Sequence, residues 1–551
     1  MDYRSLAESF SWDSVRPFFD WDWNEKLNMA HECCDRWAND PHRIAVYWED
    51  QTGKQEVWTF RQLKEHSDRM ANAFRSLGVK KGDRVAALLG KDMELIMTAL
   101  ATWKLGAIYV PLFTAFGPEA IRHRLTNAEC KILVTNEEQV RKLEGLDIPA
   151  QLILTNDANG IGLSFWELLH SAPPDFEIEQ TKMDDPCVIQ YTSGTTGLPK
   201  GAVAAHKGLI TAYPYMKFAI GLEPDDIFLG GADPGWAYGL FACIFYPLSF
   251  GVTIVVYKGP FDAEKYYQLM EKYKVTNFTY APTAYRMMMA GGPELAKKYR
   301  FYVRKFSSAG EPLNAEVVRF FKEHFGREVY DHYGATEAGM IVNNFNATDM
   351  IIKPGSMGLP TPGFHVALLD PEGRPVPDGE VGEIAVDTSG FASGFLGYWK
   401  DPDKTAEKMR GKWLLTGDLA YRDEDGYFWF RGRSDDIISS AGYRIGPFEV
   451  ESCLLEHPAV AEAAVIGKPD EEKGEIVKAY VILHPQYAPS DELADELSQF
   501  VKSRLSRHQY PREIEFATEL PKTPSGKYPE GKGTEQSRVT RYATVSNLFN
   551  F

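Results

Sequence analysis

The segment Tyr191-Thr-Ser-Gly-Thr-Thr-Gly-Leu-Pro-Lys-Gly201 decides how the rest of this chain is interpreted. It continues the apolar run Cys187–Tyr191, so we expect a β-strand that leads into a glycine-rich loop. Glycines allow main-chain N–H groups to approach an anion, hydroxyl groups donate further hydrogen bonds, and Lys200 adds a positive charge. A flexible surface turn would also explain the glycines and threonines, but the lysine after a buried strand favours a polyphosphate site. The spacing does not match the G-x-x-x-x-G-K-[ST] loop of P-loop ATPases.

Bulk composition limits the kind of protein. The chain has 551 residues, of which 44% are hydrophobic and 25% charged, as in globular proteins with at least two domains. Its net charge of -17 argues against a general nucleic-acid surface, so phosphate binding must come from local loops. The six cysteines lack metal-ligand spacing, and we expect reduced thiols in a cytoplasmic protein.

Targeting segments are not expected. Residues 1–10 lack the apolar core of a secretion signal. The uncharged segment Ala237–Tyr257 is long enough to span a bilayer, but Pro247 and Gly251 divide it. We therefore expect a buried helix, a turn and a strand over residues 252–256, with no membrane span.

The order of the apolar patterns predicts an α/β fold. Helical periodicity over Phe60–Leu77 and Met93–Leu105 alternates with short apolar strands at Arg84–Leu89, Ile132–Thr135 and Leu152–Leu154. This alternation predicts a large N-terminal domain of helix-flanked, mainly parallel sheets.

Two smaller units are predicted after this region. Closely spaced strands with Gly and Pro turns over residues 366–386 indicate a small β-rich unit. A small α+β pattern ends the chain, with a helix that opens at Pro447, strands at 462–466 and 477–483, and a helix over 491–505 with Asp491 as N-cap. We predict an N-terminal domain over residues 1–433 and a mobile C-terminal domain over residues 434–551.

Four further motifs follow the glycine-rich segment along the chain: Asp331-His-Tyr-Gly-Ala-Thr-Glu337, Leu415-Thr-Gly-Asp418, Gly432-Arg-Ser-Asp-Asp-Ile-Ile-Ser-Ser-Ala-Gly-Tyr-Arg444 and Pro521-Lys-Thr-Pro-Ser-Gly-Lys527. The series resembles the signatures of the adenylate-forming superfamily, which includes acyl- and aryl-CoA synthetases, adenylation domains of peptide synthetases and luciferases. The resemblance covers nearly the whole chain. Segments such as Asn28–Trp37 resemble the acetyl and medium-chain acyl-CoA synthetase branch.

This resemblance implies an acid–thiol ligase that uses ATP, Mg²⁺ and coenzyme A. An acid is first joined to AMP, because a free carboxylate has too poor a leaving group to acylate a thiol. The implied nucleotide contacts come from these motifs and from the loop after Ser308: Thr192, Ser193, Gly194, Thr195, Thr196, Gly197, Lys200, Gly310, Glu311, Pro312, Asp331, His332, Tyr333, Gly334, Thr336, Asp418, Arg433 and Arg444.

Further roles are implied for residues in the later motifs. Lys527 is the implied catalytic lysine between the acid and the α-phosphate, although a lone loop lysine is usually just solvated. Glu337, with Thr336, is the implied Mg²⁺ ligand, and an acid at a helix N-terminus is the alternative for Glu337. Asp435 is the implied hinge, and Gly442 lines the implied CoA tunnel. For Lys502 and Arg504 two interpretations stay open: they contact the phosphates of CoA, or they are solvent-exposed charges on a helix face.

The implied acyl pocket contains Trp236, Ala237, Tyr238 and Gly334. Acetate enzymes of the superfamily carry a tryptophan at the position of Gly334, so we expect room for an acid larger than acetate. Each extra buried methylene contributes about 0.8 kcal/mol, so discrimination between neighbouring chain lengths should be modest.

The C-terminal tail departs from the pattern of the superfamily. The segment Tyr528–Gly533 breaks the helix expected after Lys527. This departure leaves open an inactive regulator that binds nucleotide or acyl-CoA. Transfer of the acyl group to a carrier protein, by the same chemistry with a different acceptor, is a second alternative. Self-association through Leu548 and Phe551 is also left open.

Overall fold

The computed structural model describes residues 2–156, 160–192, 199–391, 393–434, 438–440, 443–470, 474–505, 509–518 and 520. Within this part of the chain the strands form four sheets. Residues 439, 443, 444 and 474 are described by their main chain only.

The first sheet has nine strands. It is parallel through its centre and antiparallel at both edges. The strands lie in the spatial order Leu359–Pro360 (β16), Gly339–Asn343 (β15), Val329–Ala335 (β14), Lys305–Ala309 (β13), Asn277–Tyr280 (β12), Ile227–Gly230 (β10), Thr253–Lys258 (β11), Ile44–Asp50 (β1) and Gln55–Thr59 (β2).

The second sheet has eight strands, of which six are parallel. The two strands at its other edge pair antiparallel. Their order is Phe395–Tyr398 (β19), Lys200–Ala205 (β9), Pro186–Thr192 (β8), Ile108–Leu112 (β4), Arg84–Leu88 (β3), Ile132–Thr135 (β5), Gln151–Leu154 (β6) and Leu163–Ser164 (β7).

Two five-stranded sheets contain the later strands. The third sheet is antiparallel and comprises Val366–Leu369 (β17), Gly382–Asp387 (β18), Met409–Arg410 (β20), Trp413–Arg422 (β21) and Phe428–Arg433 (β22). The fourth sheet comprises Ile438–Ser440 (β23), Tyr443–Ile445 (β24), Val460–Asp470 (β25), Gly474–Leu483 (β26) and Glu513–Phe516 (β27).

The α-helices of the described residues are mostly short and lie between strands. They are Tyr3–Ser9 (α1), Met29–Cys33 (α2), Phe60–Ser76 (α3), Met93–Lys104 (α4), Pro118–Ala128 (α5), Glu137–Val140 (α6), Phe165–Ser171 (α7), Gly208–Pro214 (α8), Tyr246–Ser249 (α9), Ala263–Lys272 (α10), Pro282–Ala290 (α11), Pro293–Ala296 (α12), Ala315–Phe325 (α13), Pro402–Glu407 (α14), Pro447–Leu455 (α15) and Asp491–Arg504 (α16). Three 3₁₀ segments, Trp12–Phe18, Asp35–Trp37 and Arg141–Leu143, and two π-helical segments, Tyr215–Ala219 and Tyr238–Phe245, complete the set.

The core lies on both faces of the two large sheets. Because successive side chains of a strand point to opposite faces, Ile254 joins a core shared by both sheets, while Val255 joins a second core under α10, α11 and α13. In the second sheet Val85 faces the shared core, and Ala86 faces a third core with α5. Strands buried on both faces explain the continuous apolar runs in the sequence.

The predicted α/β class is confirmed, and the periodic segments form the expected elements. The helix predicted over Phe60–Leu77 spans Phe60–Ser76, and its N-cap Thr59 forms a capping box with Gln62. One cap was predicted wrongly: Ser490 caps α16 by accepting from the Leu493 N–H, and Asp491 is the first helical residue. None of the described helices combines the length and apolarity needed to cross a membrane.

Candidate active site

The glycine-rich segment connects two antiparallel neighbours in the second sheet. Thr192 ends β8, Lys200 begins β9, and the two residues are paired in the register. The predicted phosphate contacts Ser193, Gly194, Thr195, Thr196 and Gly197 lie outside the described residues. The Lys200 ammonium lies 5.5 Å from the ring centroid of Tyr398 on the adjacent strand β19. A positive charge thus stands at the end of the loop that the sequence assigns to phosphate.

In the loop after β13, the only acidic side chain, that of Glu311, is bound to α11. Gly310 has a φ of 97°, a conformation that favours glycine. The Glu311 carboxylate accepts from the Thr283 hydroxyl at 2.8 Å and from Arg286 Nη2 at 2.9 Å, both on α11. Glu311 is therefore anchored to α11 through its side chain.

Asp331 and His332 on β14 are both buried. Burial raises the pKa of Asp331 to about 7, although the hydrogen bond that the Ser308 hydroxyl donates to Asp331 Oδ1 at 2.9 Å lowers this pKa. Burial lowers the pKa of His332 to about 3, so its ring is neutral at physiological pH. His332 Nε2 lies 3.0 Å from the Asn344 carbonyl and must donate to it, which leaves Nδ1 to accept from the Tyr215 hydroxyl at 3.1 Å. All polar atoms of the His332 ring are thus used within the fold.

Two predicted nucleotide residues, one from the first sheet and one from the third, contact the carboxylate of a further predicted residue, Asp418. The Tyr333 hydroxyl of β14 donates to Asp418 Oδ2 on β21 at 2.7 Å. Arg433 of β22 faces Asp418 in the strand register, with Nη1 3.7 Å from Oδ1. Burial, followed by the Asp418 charge, raises the pKa of Tyr333 strongly, so the phenol remains a donor. The motifs 331–337 and 415–418 are therefore joined by side chains.

Thr336 and Glu337 lie in the turn between β14 and β15, and not at the helix N-terminus considered as an alternative. The Tyr398 hydroxyl donates to Glu337 Oε1 at 2.5 Å, and the Ser393 hydroxyl donates to the Glu337 carbonyl at 2.7 Å. Burial is the main cause that raises the pKa of Tyr398, with the Glu337 charge second.

Glu337 has the chemistry of a hard-cation ligand. In the described ranges no Lys, Arg or His nitrogen lies within 4.0 Å of its carboxylate, so its charge is not already neutralised by an ion pair. The described residues contain no cluster of three acidic, His or Cys side chains that could hold a metal alone. A single carboxylate together with phosphate oxygens suits Mg²⁺, which keeps several of its own waters.

The acyl-pocket candidates divide between two environments. Trp236 packs against Phe113 and Phe116, with ring centroids 5.3 and 5.8 Å away. Tyr238, which follows Ala237, begins a π-helical segment, and its hydroxyl lies 2.7 Å from Thr279 Oγ1 and 3.2 Å from the Tyr215 hydroxyl. Such π-helical turns occur frequently at functional sites.

Gly334 is closely covered on the side where a side chain would project. A Cβ there would lie 2.4 Å from the Gly339 carbonyl oxygen and 2.6 Å from the Met340 sulfur. Gly334 and Met340 are paired in the β14–β15 register beside a bulge. The room expected beside Gly334 therefore contains the thioether of Met340, a residue that the sequence motifs did not indicate.

Four further predicted site residues lie outside the described residues or are described by their main chain alone. Lys527, Asp435 and Gly442 are outside the described residues, and Arg444 is described by its main chain alone. On α16, Lys502 Nζ lies 4.9 Å from the Tyr510 ring, and the Arg504 guanidinium lies 3.7 Å from the Phe500 ring.

Comparisons with known proteins identify the family of the chain. A family model described as AMP-binding enzyme matches residues 34–399, and one described as AMP-binding enzyme C-terminal domain matches residues 449–527. Acetyl-coenzyme A synthetase of Bacillus subtilis (strain 168) is 40% identical over 537 residues, covering 96% of this chain and 93% of the relative.

Solved structures are similar along nearly their whole length. The crystal structure of Brucella canis acyl-CoA synthetase has 39% identity and a TM-score of 0.78, and the alignment covers 99% of both chains. ATP-bound MatB from Rhodopseudomonas palustris has 28% identity and a TM-score of 0.81, with 95% of this chain and 100% of that chain covered.

The chain therefore belongs to the AMP-binding enzyme family, which is part of the adenylate-forming superfamily. Within that family it is an acyl-CoA synthetase-like ligase of the AMP-forming type.

Proposed function

We propose that this chain joins a carboxylic acid larger than acetate to AMP, using ATP, and transfers the acyl group to the thiol of coenzyme A. The observation that carries the proposal is the meeting of Tyr333 and Arg433 at Asp418. A carboxylate with two oxygens can accept from both hydroxyls of a ribose. Asp418 would take that role, while the main chain of residues 310–312 would contact the adenine.

The first step forms an acyl-adenylate. A carboxylate oxygen attacks the α-phosphorus, the bond to pyrophosphate breaks, and pyrophosphate leaves with the electron pair. Because both reactants are negative, catalysis comes from orientation and from charge neutralisation. Lys200 would neutralise phosphate at the loop, and Lys527 would bridge the acid and the α-phosphate.

Mg²⁺ would be held by Glu337, assisted by Thr336, together with the phosphates. The support is a half-buried carboxylate that has a hydroxyl donor and, within the described part, no cation within 4.0 Å. When bound, the metal would supply positive charge to the phosphates during the transfer.

The second step passes the acyl group to coenzyme A. The thiol loses its proton to water, the thiolate sulfur attacks the acyl carbonyl, the C–O bond to AMP breaks, and AMP leaves with the electron pair. We propose that a domain over residues 434–551 rotates about Asp435 against residues 1–433 between the two steps, and that Gly442 leaves space for the thiol arm. Lys502 and Arg504 are the candidates for the CoA phosphates.

The acid would lie beside Trp236, Ala237, Tyr238 and Gly334, with Met340 at the end of the pocket. Met340 is flexible and contains no polar hydrogen, so it can adapt to acids of different lengths. We therefore propose that the enzyme accepts a range of acids of short to medium chain length and does not require one particular acid.

The cellular setting is part of the same proposal. All six cysteines are free and buried, and burial raises the pKa values of the Cys187 and Cys243 thiols. Unpaired thiols are usual in the cytoplasm, where we propose that the protein acts. Self-association stays a prediction, and light scattering would measure it.

The test is acid-dependent release of AMP in the presence of CoA, with acids from acetate to octanoate and with benzoate. We expect activity that is highest with an acid longer than acetate and that is lost in Lys527→Ala. Lys522→Ala, in the same motif, is the matched control and should keep most of the activity.

The alternatives give different results in this assay. Acid-dependent exchange of pyrophosphate into ATP without CoA turnover would indicate a carrier-protein acceptor. Absence of exchange with every acid, in protein that still binds nucleotide, would indicate a regulator and contradict the proposal. A maximum at acetate would contradict the proposed acid size alone.

A further inference from the structure

Tyr398 contacts both of the charged side chains that the proposed function assigns to Mg·ATP. Its hydroxyl donates to Glu337 Oε1 at 2.5 Å, and its ring centroid lies 5.5 Å from Lys200 Nζ. The side chain of Tyr398 is itself held in a buried position, with only 7% of the residue exposed. One aromatic residue therefore contacts the carboxylate and the ammonium at once.

The main chain around Tyr398 fixes this position from several sides. The Tyr398 N–H donates to Thr405 Oγ1 at 2.8 Å, and the N–H of the next residue, Trp399, donates to the Gly201 carbonyl at 2.7 Å. Tyr398 also pairs with Ala202 in the β19–β9 register. Because β9 begins at Lys200, the ring and the lysine belong to one rigid ladder.

Glu337 is held by the same short segment. Ser393 donates to the Glu337 carbonyl, so both the main chain and the carboxylate of Glu337 are attached to residues 393–398. Glu337 lies in the turn between β14 and β15 of the first sheet, whereas Lys200 begins β9 of the second. The segment thus connects a carboxylate at the edge of one sheet with an ammonium on the other.

Opposite charges brought together at a site would tend to pair with each other. The Tyr398 hydroxyl contacts Glu337, the Tyr398 ring contacts Lys200, and no ion pair within 4.0 Å joins Glu337 to Lys200 in the described ranges. A direct ion pair would compete with the ligand, because each charge would have to be released before a metal or a phosphate could bind. A ring in this position keeps both charges available.

We propose that Tyr398 is a positioning residue for Mg·ATP, whose hydroxyl orients Glu337 and whose ring keeps Glu337 apart from Lys200. This inference rests on the proposed function, because it requires Glu337 and Lys200 to contact Mg·ATP. Two variants separate the two effects. Tyr398→Phe removes the hydroxyl and keeps the ring, while Tyr398→Leu removes both.

The test measures the Kd of ATP by calorimetry without acid or CoA, once with excess Mg²⁺ and once with EDTA. For Tyr398→Phe we expect about tenfold weaker binding with Mg²⁺, since hydrogen bonds to charged groups are the stronger ones, and an unchanged Kd in EDTA. For Tyr398→Leu we expect weaker binding in both conditions, because Lys200 then pairs with Glu337.

A matched control and a double variant exclude a general loss of structure. Tyr273 donates to Glu49 at 2.7 Å in another part of the first sheet, so Tyr273→Phe removes a similar bond and should leave both Kd values unchanged. In the Glu337→Gln background, Tyr398→Phe should have no further effect on Mg²⁺-dependent binding, as expected for residues that act through one contact.

Three outcomes would overturn the inference. Equal binding of Mg·ATP by the wild type and Tyr398→Phe would exclude a role of the hydroxyl, and the proposed function would still stand. Equal weakening of Tyr398→Phe with Mg²⁺ and with EDTA would indicate a structural role alone. A wild-type protein that does not bind Mg·ATP would overturn both the proposed function and this inference.

Discussion

Tyr333 and Asp418 join the first and third sheets through a hydrogen bond of 2.7 Å between the Tyr333 hydroxyl and Asp418 Oδ2. The two residues are 85 positions apart, on β14 and β21. Arg433 stands on the other side of the same carboxylate, 3.7 Å from Oδ1. The carboxylate is therefore oriented before any ligand is bound, which lowers the cost of ordering it on binding.

Removal of this orienting bond should weaken ATP binding. In Tyr333→Phe the Asp418 carboxylate loses a donor, and we expect the KM for ATP to rise about tenfold or more, as is usual for a hydrogen bond to a charged group. Steady-state kinetics at saturating acid and CoA would measure it. Tyr421 lies on β21, the strand of Asp418, so Tyr421→Phe is the control and should leave the KM for ATP unchanged. An unchanged KM in Tyr333→Phe would contradict the assignment of Asp418 to the ribose.

Met340 should control the length of the acid. In Met340→Ala the pocket beside Gly334 becomes larger, and we expect the ratio of kcat/KM for octanoate over acetate to rise about tenfold, equivalent to two further buried methylenes. Met183→Ala removes another partly buried methionine that packs against the large core and should leave the ratio unchanged. An unchanged ratio in Met340→Ala would show that the acid does not reach this residue.

Gly334→Ala tests the same region from the opposite side. Its Cβ would lie 2.4 Å from the Gly339 carbonyl oxygen, and a main-chain atom cannot move aside as the end of a side chain can. We therefore expect lower activity with all acids and a lower Tm in thermal unfolding. Full activity with a normal Tm would mean that the β14–β15 bulge adapts easily.

The sequence predicts what depends on local pattern, and it fails where contacts join distant segments. The helix at Met93 and the strand Ile132–Thr135 were predicted because periodicity and length are local properties. His332 belongs to a nucleotide motif, yet its ring is used by the Asn344 carbonyl and by Tyr215, which only the packed structure reveals. Tyr398 was missed because its contact with Glu337 spans 61 positions and no local pattern indicates it.

The buried carboxyl of Asp331 predicts a pH-dependent stability difference. Burial raises its pKa to about 7, whereas the ordinary value is 3.8, so between these values the unfolded chain releases a proton that the folded protein retains. Below pH 4 the Asp331 carboxyl therefore leaves the free energy of unfolding unchanged. From pH 4 to pH 7 it lowers the free energy of unfolding by an increasing amount, and above pH 7 this destabilisation is at its maximum.

The variant Asp331→Asn cannot ionise, so its Tm relative to wild type should rise from pH 4 to pH 7 and then stay constant. Differential scanning fluorimetry across this range would measure the two Tm values. Asp403→Asn removes the same charge from an exposed position and should lack this dependence. A Tm difference that is constant or falls with pH would contradict the raised pKa.

Lys104 predicts the largest stability effect away from the site. Its ammonium is fully buried, 2.8 Å from Asp35 Oδ1 and 2.5 Å from Asp68 Oδ1, and both carboxylates are almost fully buried. Lys104→Met would leave two buried negative charges, and loss of one partner from a buried pair typically costs about 3–5 kcal/mol. Lys64 contacts the same Asp68 from a position where its side chain is 37% exposed, so Lys64→Met should lower the free energy of unfolding much less.

Thermal unfolding of Lys104→Met, Lys64→Met and the double variant Lys104→Met with Asp68→Asn would test this. The double variant should recover part of the lost Tm, because only one of the two buried carboxylates, that of Asp35, then carries a negative charge. If Lys104→Met and Lys64→Met instead melt at the same temperature, the cluster contributes no more to stability than a surface ion pair.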